Sequence, residues 1–292
     1  MENTVHIEDS ALPRYAEFEA FVLERHRVYL RRKDCPHGPW TADPVLRAFH
    51  FCNVYRELDR TTVALRQLAG EYVPDQWFAM MAARLLNAPE GFEAAWPAVN
   101  GCWRPKEFTR RLDAARAQGV RVFSPAYVVG THGVSQDKVH YIAEKVLTPA
   151  WRARGDVRPE PGDSLAQAHR KLVGVFGLGS FLAAQVVADV KNTPGSPLEH
   201  APDWRVWCAP GPGSLRGLSR LAGLAPARSG WALRMWPHAL HALRQRLDTA
   251  IQTHGMPSIC AQDVQNCLCE YDKYLRIKEN DAGRKRRYRP SA

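Results

Sequence analysis

An all-α fold is what this sequence predicts, on three observations. Apolar residues recur at three- and four-residue spacing along most of the chain, which lines one face of an α-helix. Period-two alternation, the mark of a half-buried strand, is nowhere convincing. Tryptophan-rich amphipathic stretches alternate with Pro/Gly-rich joints from end to end.

The first helix is expected from Tyr15 to Arg32, with Phe18, Phe21, Val22 and Val28 as its apolar stripe. The Pro/Gly-broken stretch from Cys35 to Trp40 ends it. Asp43 followed by Pro44 reads as the N-cap and first residue of a second helix, which the spacing carries on through Phe49 to Arg66. Further helices open at Pro74, through Leu86, and at Pro105, through Gln118. Val120 to Phe123 is more β-like, Ser135 to Leu147 returns to helix, and Arg154 to Gly162 is a loop dividing two lobes. Leu165, Ala168 and Leu172 precede a glycine hairpin, and Phe181, Leu182, Gln185, Val186 and Asp189 follow it, both sets at helical spacing. Asn192 to Gly213 is an irregular connection containing five prolines. Trp231 to Thr253 and Ser258 to Lys278 are the last helices. The expected organisation is an N-terminal helix and linker over 1–40, a helical catalytic domain over 41–280 with its hairpin at 165–190, and a basic tail over 281–292.

A chain of 292 residues has ample apolar content to bury a core. Its 40 Lys and Arg against 30 Asp and Glu leave a formal charge of +10, which suits a polyanionic partner without specifying one. Seven cysteines without a regular framework suggest free thiols in a reducing compartment. No apolar run has membrane-spanning length and the N-terminus carries no signal-peptide core, so the expected location is cytoplasmic.

Four constellations carry chemistry. In the hairpin, Gly177 and Gly179 let the backbone turn and leave bare N–H groups with Ser180 at a helix N-terminus, where a DNA phosphate is favoured. Asn53, Arg56, Glu57 and Arg60 fall at i, i+3, i+4 and i+7; two guanidiniums on one face can clamp phosphate, with Glu57 holding one in place. The same spacing makes an ordinary solvated face with an internal ion pair. Asp263, Asn266 and Glu270 share a face of the last helix, suited to binding a cationic amine or placing a base. Pro210-Gly211-Pro212-Gly213-Ser214 with Arg216 makes a rigid turn with N–H groups beside a guanidinium. Cys35, His37, His50 and Cys52 match no usual zinc spacing, so no metal or other cofactor is expected. Arg284 to Arg289 would add sequence-independent affinity for phosphates.

The hairpin, with Asp203 lying 203 − 179 = 24 residues beyond its second glycine, resembles the helix-hairpin-helix of DNA glycosylases and their catalytic aspartate. Three longer blocks resemble the phage α-glutamyl/putrescinyl thymine pyrophosphorylases, or amino-acid:DNA transferases. They are Trp40 to Leu46 continued through Phe51 to Arg60, then Gly177 to Asp203 with Pro210 to Ser214, and last Asp263 to Asn266 with Glu270 to Tyr274. The first block also resembles the helical domain attached to 5-hydroxymethyluracil DNA kinases. The resemblance implies a DNA-glycosylase-like helical fold acting on a flipped, thymine-derived base in double-stranded DNA. An amine from an amino acid or polyamine would displace pyrophosphate from 5-(pyrophosphooxymethyl)uracil. Arg56, Arg60, Lys138 and Arg216, with Asn53, Glu57 and Ser214, are the expected substrate-binding residues. Asp203 is the first choice for the base, with Asp263 and Glu270 behind it.

Two departures bear on rival readings. Bifunctional glycosylases carry a lysine two residues after the second hairpin glycine; Phe181 stands there, leaving a monofunctional glycosylase as the enzymatic alternative. No G-x-x-x-x-G-K-[ST] sequence occurs, so a kinase reading makes this chain the non-P-loop helical component of a kinase system.

Overall fold

The computed structural model describes residues 11–35, 37–70, 75–124, 129–131, 133–226 and 230–279. The chain runs through α1 (Tyr15–Asp34), α2 (Pro44–Ala48), α3 (Arg60–Ala69), α4 (Gln76–Leu86), α5 (Pro89–Val99), α6 (Pro105–Ala117) and α7 (Lys138–Tyr141). It continues through α8 (Thr148–Arg152), α9 (Arg154–Val157), α10 (Leu165–Val173), α11 (Gly179–Lys191), α12 (Pro212–Leu221), α13 (Gly230–Gln252) and α14 (Ala261–Lys278). The described residues form no β-strand, and none of their helices is long and apolar enough to cross a membrane. The chain is all-α.

Local chemistry sets the helix starts. Asp43 Oδ1 accepts from Val45 N and Leu46 N, both at 2.8 Å, so α2 begins at Pro44 as its sequence implies. Ser164 and Gln167 form a reciprocal capping box at α10: Ser164 Oγ accepts from Gln167 N at 3.1 Å, and Gln167 Oε1 accepts from Ser164 N at 2.7 Å.

Four expectations need correction. The helix expected from Pro44 to Arg66 is broken: α2 ends at Ala48, Phe49 is extended at φ −119° and ψ 149°, a single 3-10 turn spans Arg56–Leu58, and α3 starts at Arg60. Backbone N–H groups of the intervening segment donate to carboxylates on α14 rather than along a helix of their own. Val120 to Phe123 forms no strand, and Arg154 to Gly162 opens with the short α9. Three helices stand where the sequence reading placed none, α5 with Pro97 inside it, the short α8, and α12 within the supposed glycine-rich turn. Pro74, which was to open a helix, and the basic tail lie outside the described residues.

By internal contacts the chain forms two compact units, one of residues 1–56 and 210–292, the other of residues 57–209. In the first, α12 lies close along α14, with α1 and α13 packed beside them. The approach of α12 to α14 needs glycine: a Cβ on Gly217 would sit 2.0 Å from Leu268 O, and one on Gly213 would sit 2.4 Å from Cys269 Sγ. Phe18, Phe21, Phe51, Tyr271 and Tyr274 form its aromatic cluster, with ring centroids 4.8 to 6.4 Å apart. The second unit is built on α4, buried along its whole length against α11 and α5. At its centre Arg84 meets Asp189 through two bonds, at 2.5 and 2.6 Å, and also donates to Thr62 Oγ1 and Asn87 Oδ1. That buried guanidinium is matched by a fork-on-fork carboxylate.

Candidate functional site

In the first unit the segment from Phe51 to Arg56 is fastened to the polar side of α14. Cys52 N donates to Glu270 Oε2 at 3.2 Å, and Arg56 N to Asp263 Oδ1 at 3.4 Å. Asn266 Nδ2 donates to Asn53 O at 2.7 Å and to Val54 O at 3.3 Å. The three residues that the sequence placed on one face of the last helix therefore share a face and a task, holding a non-helical segment by its backbone.

The three candidate carboxylates are used differently. Asp263 is the third residue of α14. Its Oδ2 accepts from Cys260 N at 3.1 Å and from Cys260 Sγ at 3.0 Å while Oδ1 holds Arg56 N. Asp203, in the second unit, accepts from Leu165 N at 2.6 Å with Oδ1 and from Ala166 N at 3.1 Å with Oδ2. It satisfies two N–H groups that lack an intrahelical partner at the start of α10, where the helix dipole favours a negative charge. Among the described residues Glu270 is engaged through Oε2, by Cys52 N and by Lys273 Nζ at 3.3 Å, and its Oε1 accepts no hydrogen bond from them.

The basic residues do not stand on one helix as the spacing implied. Arg56 is buried at 6 % exposure within the 3-10 turn, whereas Arg60 is exposed at the start of α3. Glu57 holds the guanidinium of Arg66, with Asn192 Nδ2 donating to the other Glu57 oxygen at 2.9 Å. Arg216 spends its charge on Asp272, 2.9 Å away, which Arg220 also meets at 3.0 Å. Ser214 is fully buried; its Oγ accepts from Gly211 N at 2.9 Å and donates to Gly211 O at 3.0 Å. The expected anion-binding turn is thus a helix start packed against α14. Lys138 lies with Nζ 4.1 Å from the Phe123 ring centroid, and burial lowers its pKa.

In the second unit α10 and α11 are joined by a short turn with Gly177 at φ +81° and Gly179 at φ +63°, conformations that suit glycine. Gly177 also sits tightly on Val146, where an added Cβ would meet Cγ2 at 2.8 Å. Ser180 O lies 2.9 Å from His169 Nε2, tying the second helix to the first. Asp113, Asp137 and His140 bring ligand-type atoms within 4.8 Å of one another, but Arg116 already bonds both carboxylates.

Sequence reasoning missed Arg25. It is 3 % exposed on α1, and its Nη2 donates to Asn53 O at 3.3 Å and to Cys267 Sγ at 3.1 Å. The signal was present as Arg25, Val28, Tyr29 and Arg32 at i, i+3, i+4 and i+7 on the first helix, a basic edge beside the apolar stripe.

No solved structure matches this chain. A curated relative, the 5-hmdU DNA kinase of Bacillus phage SP10, is 26 % identical over 195 residues, covering 58 % of this chain and 30 % of the relative. The chain thus spans less than a third of that kinase's length. The family model described as 5-hmdU DNA kinase, helical domain, matches residues 13–284, which takes in α1 through α14 and both units. The chain belongs to this family of helical domains of 5-hmdU DNA kinase.

Proposed function

We propose that this protein is a DNA base-hypermodifying transferase: an amine from an amino acid or polyamine displaces pyrophosphate from 5-(pyrophosphooxymethyl)uracil in double-stranded DNA. The observation that carries the reading is the meeting of two distant transferase-like blocks. Residues 51–56 are held on α14 by Asp263, Asn266 and Glu270, more than two hundred residues away in sequence. Family membership places the chain beside proteins of 5-hydroxymethyluracil DNA chemistry.

In this reading the amine nitrogen attacks the exocyclic methylene carbon, the carbon–oxygen bond breaks, and pyrophosphate leaves with the electron pair. The base must first leave the stack. The ammonium proton goes to a carboxylate. Glu270 takes that role ahead of Asp203, since Glu270 keeps one oxygen clear of hydrogen bonds whereas both oxygens of Asp203 hold α10. Arg56 stabilises the leaving group's charge. The N–H groups around Gly177, Gly179 and Ser180 meet a DNA phosphate.

Duplex DNA carrying the pyrophosphorylated base, incubated with the protein and a pool of amino acids and polyamines, tests this by nucleoside mass spectrometry. An amine-bearing nucleoside with released pyrophosphate is expected. Free base or abasic sites would replace the reading with a monofunctional glycosylase. A second reading is favoured by the kinase relative: the chain serves as the base-recognising helical component of a kinase system. It predicts selective binding of duplex containing 5-hydroxymethyluracil and no adduct with any amine.

A further inference from the structure

The second unit carries an apolar surface that its core does not take up. Four of the nine exposed large hydrophobic side chains among the described residues, Val173, Phe176, Phe181 and Val206, belong to the α10–α11 hairpin and the turn beside it. Single apolar side chains scattered over a surface are ordinary, whereas a concentration of them marks a binding face. His169 on α10 draws the group together. Its ring lies 5.2 Å from that of Trp207, the neighbour of Val206, and its Nε2 lies 2.9 Å from Ser180 O, next to Phe181. Val173 follows His169 by one helical turn.

Phe176 stands furthest out, at 61 % exposure against 37 % for Phe181. Its flanks are held: Val175 and Leu178 are buried, and Gly177 sits tightly on Val146. The turn therefore presents this ring from a fixed base and forgoes the stability that its burial would contribute. The surroundings are basic. Residues 164–188 contain Arg170 and Lys171 and no Asp or Glu. Of the carboxylates just outside, Asp163 pairs with Lys171, and Asp203 is given to the first N–H groups of α10, at the far end of that helix from the turn. Arg170 is exposed. Leu178, standing before α11, lends no side-chain acceptor to the first turn of that helix, whose N–H groups favour a phosphate.

We infer that the hairpin tip is a wedge for duplex DNA: Phe176 enters the base stack and fills the place of a base drawn out of it, while Arg170 meets a flanking phosphate. Val173, Phe181 and Val206 form the shoulders of the wedge. An aromatic ring in basic surroundings fits nucleic acid, where a stacking face and an anionic phosphate alternate along each strand. Removing a base from a duplex costs stacking, and an inserted ring restores part of it. The inference rests on the proposed function in one respect, that the protein works on a base taken out of a duplex.

Fluorescence anisotropy with the full chain tests this on two duplexes of one sequence, one intact and one with a stable abasic site that leaves a gap in the stack. Wild type should bind the gapped duplex about tenfold more tightly, the scale of one aromatic–base stack. Phe176→Ala should lose that preference at an unchanged melting temperature, because the side chain it removes is exposed. Phe176→Trp should keep the preference. Arg170→Gln should weaken binding of both duplexes alike and make its salt dependence shallower. Equal binding of the two duplexes by wild type, or an undiminished preference in Phe176→Ala, would overturn the wedge. A dimer that Phe176→Ala converts to monomer, with the preference unchanged, would instead assign the patch to contact between copies of the chain. The abasic duplex holds no 5-substituted uracil and the assay no amine, so the two readings fail separately. A preference lost in Phe176→Ala without any amine adduct keeps the wedge and removes the transferase, and adduct formation with an unchanged preference does the reverse.

Discussion

At the scale of single residues, the proposed function gives Asp203 a structural duty and Glu270 a chemical one. Each is a carboxylate on a polar side of its unit, and residue type alone does not tell them apart. Asp203 gives both oxygens to the first N–H groups of α10, so Asp203→Asn removes one acceptor and presents an amide to an N–H. The expected cost is about 1 kcal/mol, within the range for lost helix caps, read as a lower denaturant midpoint at an unchanged slope. Turnover per folded molecule should survive. Glu270→Gln keeps an acceptor for Cys52 N but loses the proton-accepting oxygen. Its melting temperature should stay close to wild type while amine transfer falls ~10²–10⁴-fold, the range for a lost general base. The reverse pattern, with Asp203→Asn inactive at full stability, would return the base to Asp203.

Helix elements show which parts of the chain were legible in sequence and which were not. Helices α1, α4, α6, α13 and α14 follow directly from apolar spacing and the residues at their ends, because in them periodicity and local chemistry agree. Residues 49–58 obey the same period yet are not an α-helix: Asp263, Asn266 and Glu270, far away in sequence, take up their backbone groups. None of these three partners is visible from within the segment, so the predicted Asn53-Arg56-Glu57-Arg60 face was an artefact of spacing. The α12 segment misled for the opposite reason. Pro212, Gly213 and Gly217 look like turn residues, but Pro212 opens a helix and both glycines make room for α14. A Cβ at Gly217 meets backbone, Leu268 O at 2.0 Å, which cannot swing aside as a side chain can. Gly217→Ala should therefore destabilise the protein by ~1–3 kcal/mol or more, the cost of overpacking. Gly213→Ala should cost less, because its obstacle is the Sγ of Cys269. Equal midpoints for both variants in a denaturant titration would refute this account of the α12–α14 contact.

Over the whole molecule, charge sets how the protein responds to its solvent. Burial, with help from Asp263 and Glu270 and against the pull of Arg25, pushes the Cys267 thiol up from 9.0 to about 11. The folded chain then holds a proton that the unfolded chain releases. Stability from this thiol is complete below pH 9 and is lost as pH rises toward 11. Tyr271 and Tyr274, raised first by burial, extend the loss to higher pH. Melting temperature should be flat from pH 7 to 9 and fall above it, and Cys267→Ser should soften the first part of that fall. In the proposed function, the same excess of basic residues would govern the encounter with DNA. A formal charge of +10 implies that binding to unmodified duplex releases counterions, so the logarithm of the affinity should fall linearly with the logarithm of salt concentration. Residues 280–292, which hold Arg284 to Arg287 and Arg289, should contribute phosphate contacts without base selectivity. Removing them should make the salt slope shallower by roughly one unit per lost contact and weaken modified and unmodified duplex alike. Selectivity for a 5-substituted uracil should survive the truncation, because the residues proposed to act on that base, the last of them Glu270, all lie before residue 280. Fluorescence anisotropy over a salt series, with both duplexes and both chains, separates the two contributions. If truncation erased the preference for the modified duplex while leaving the salt slope intact, base reading would belong to the tail and not to the helical fold.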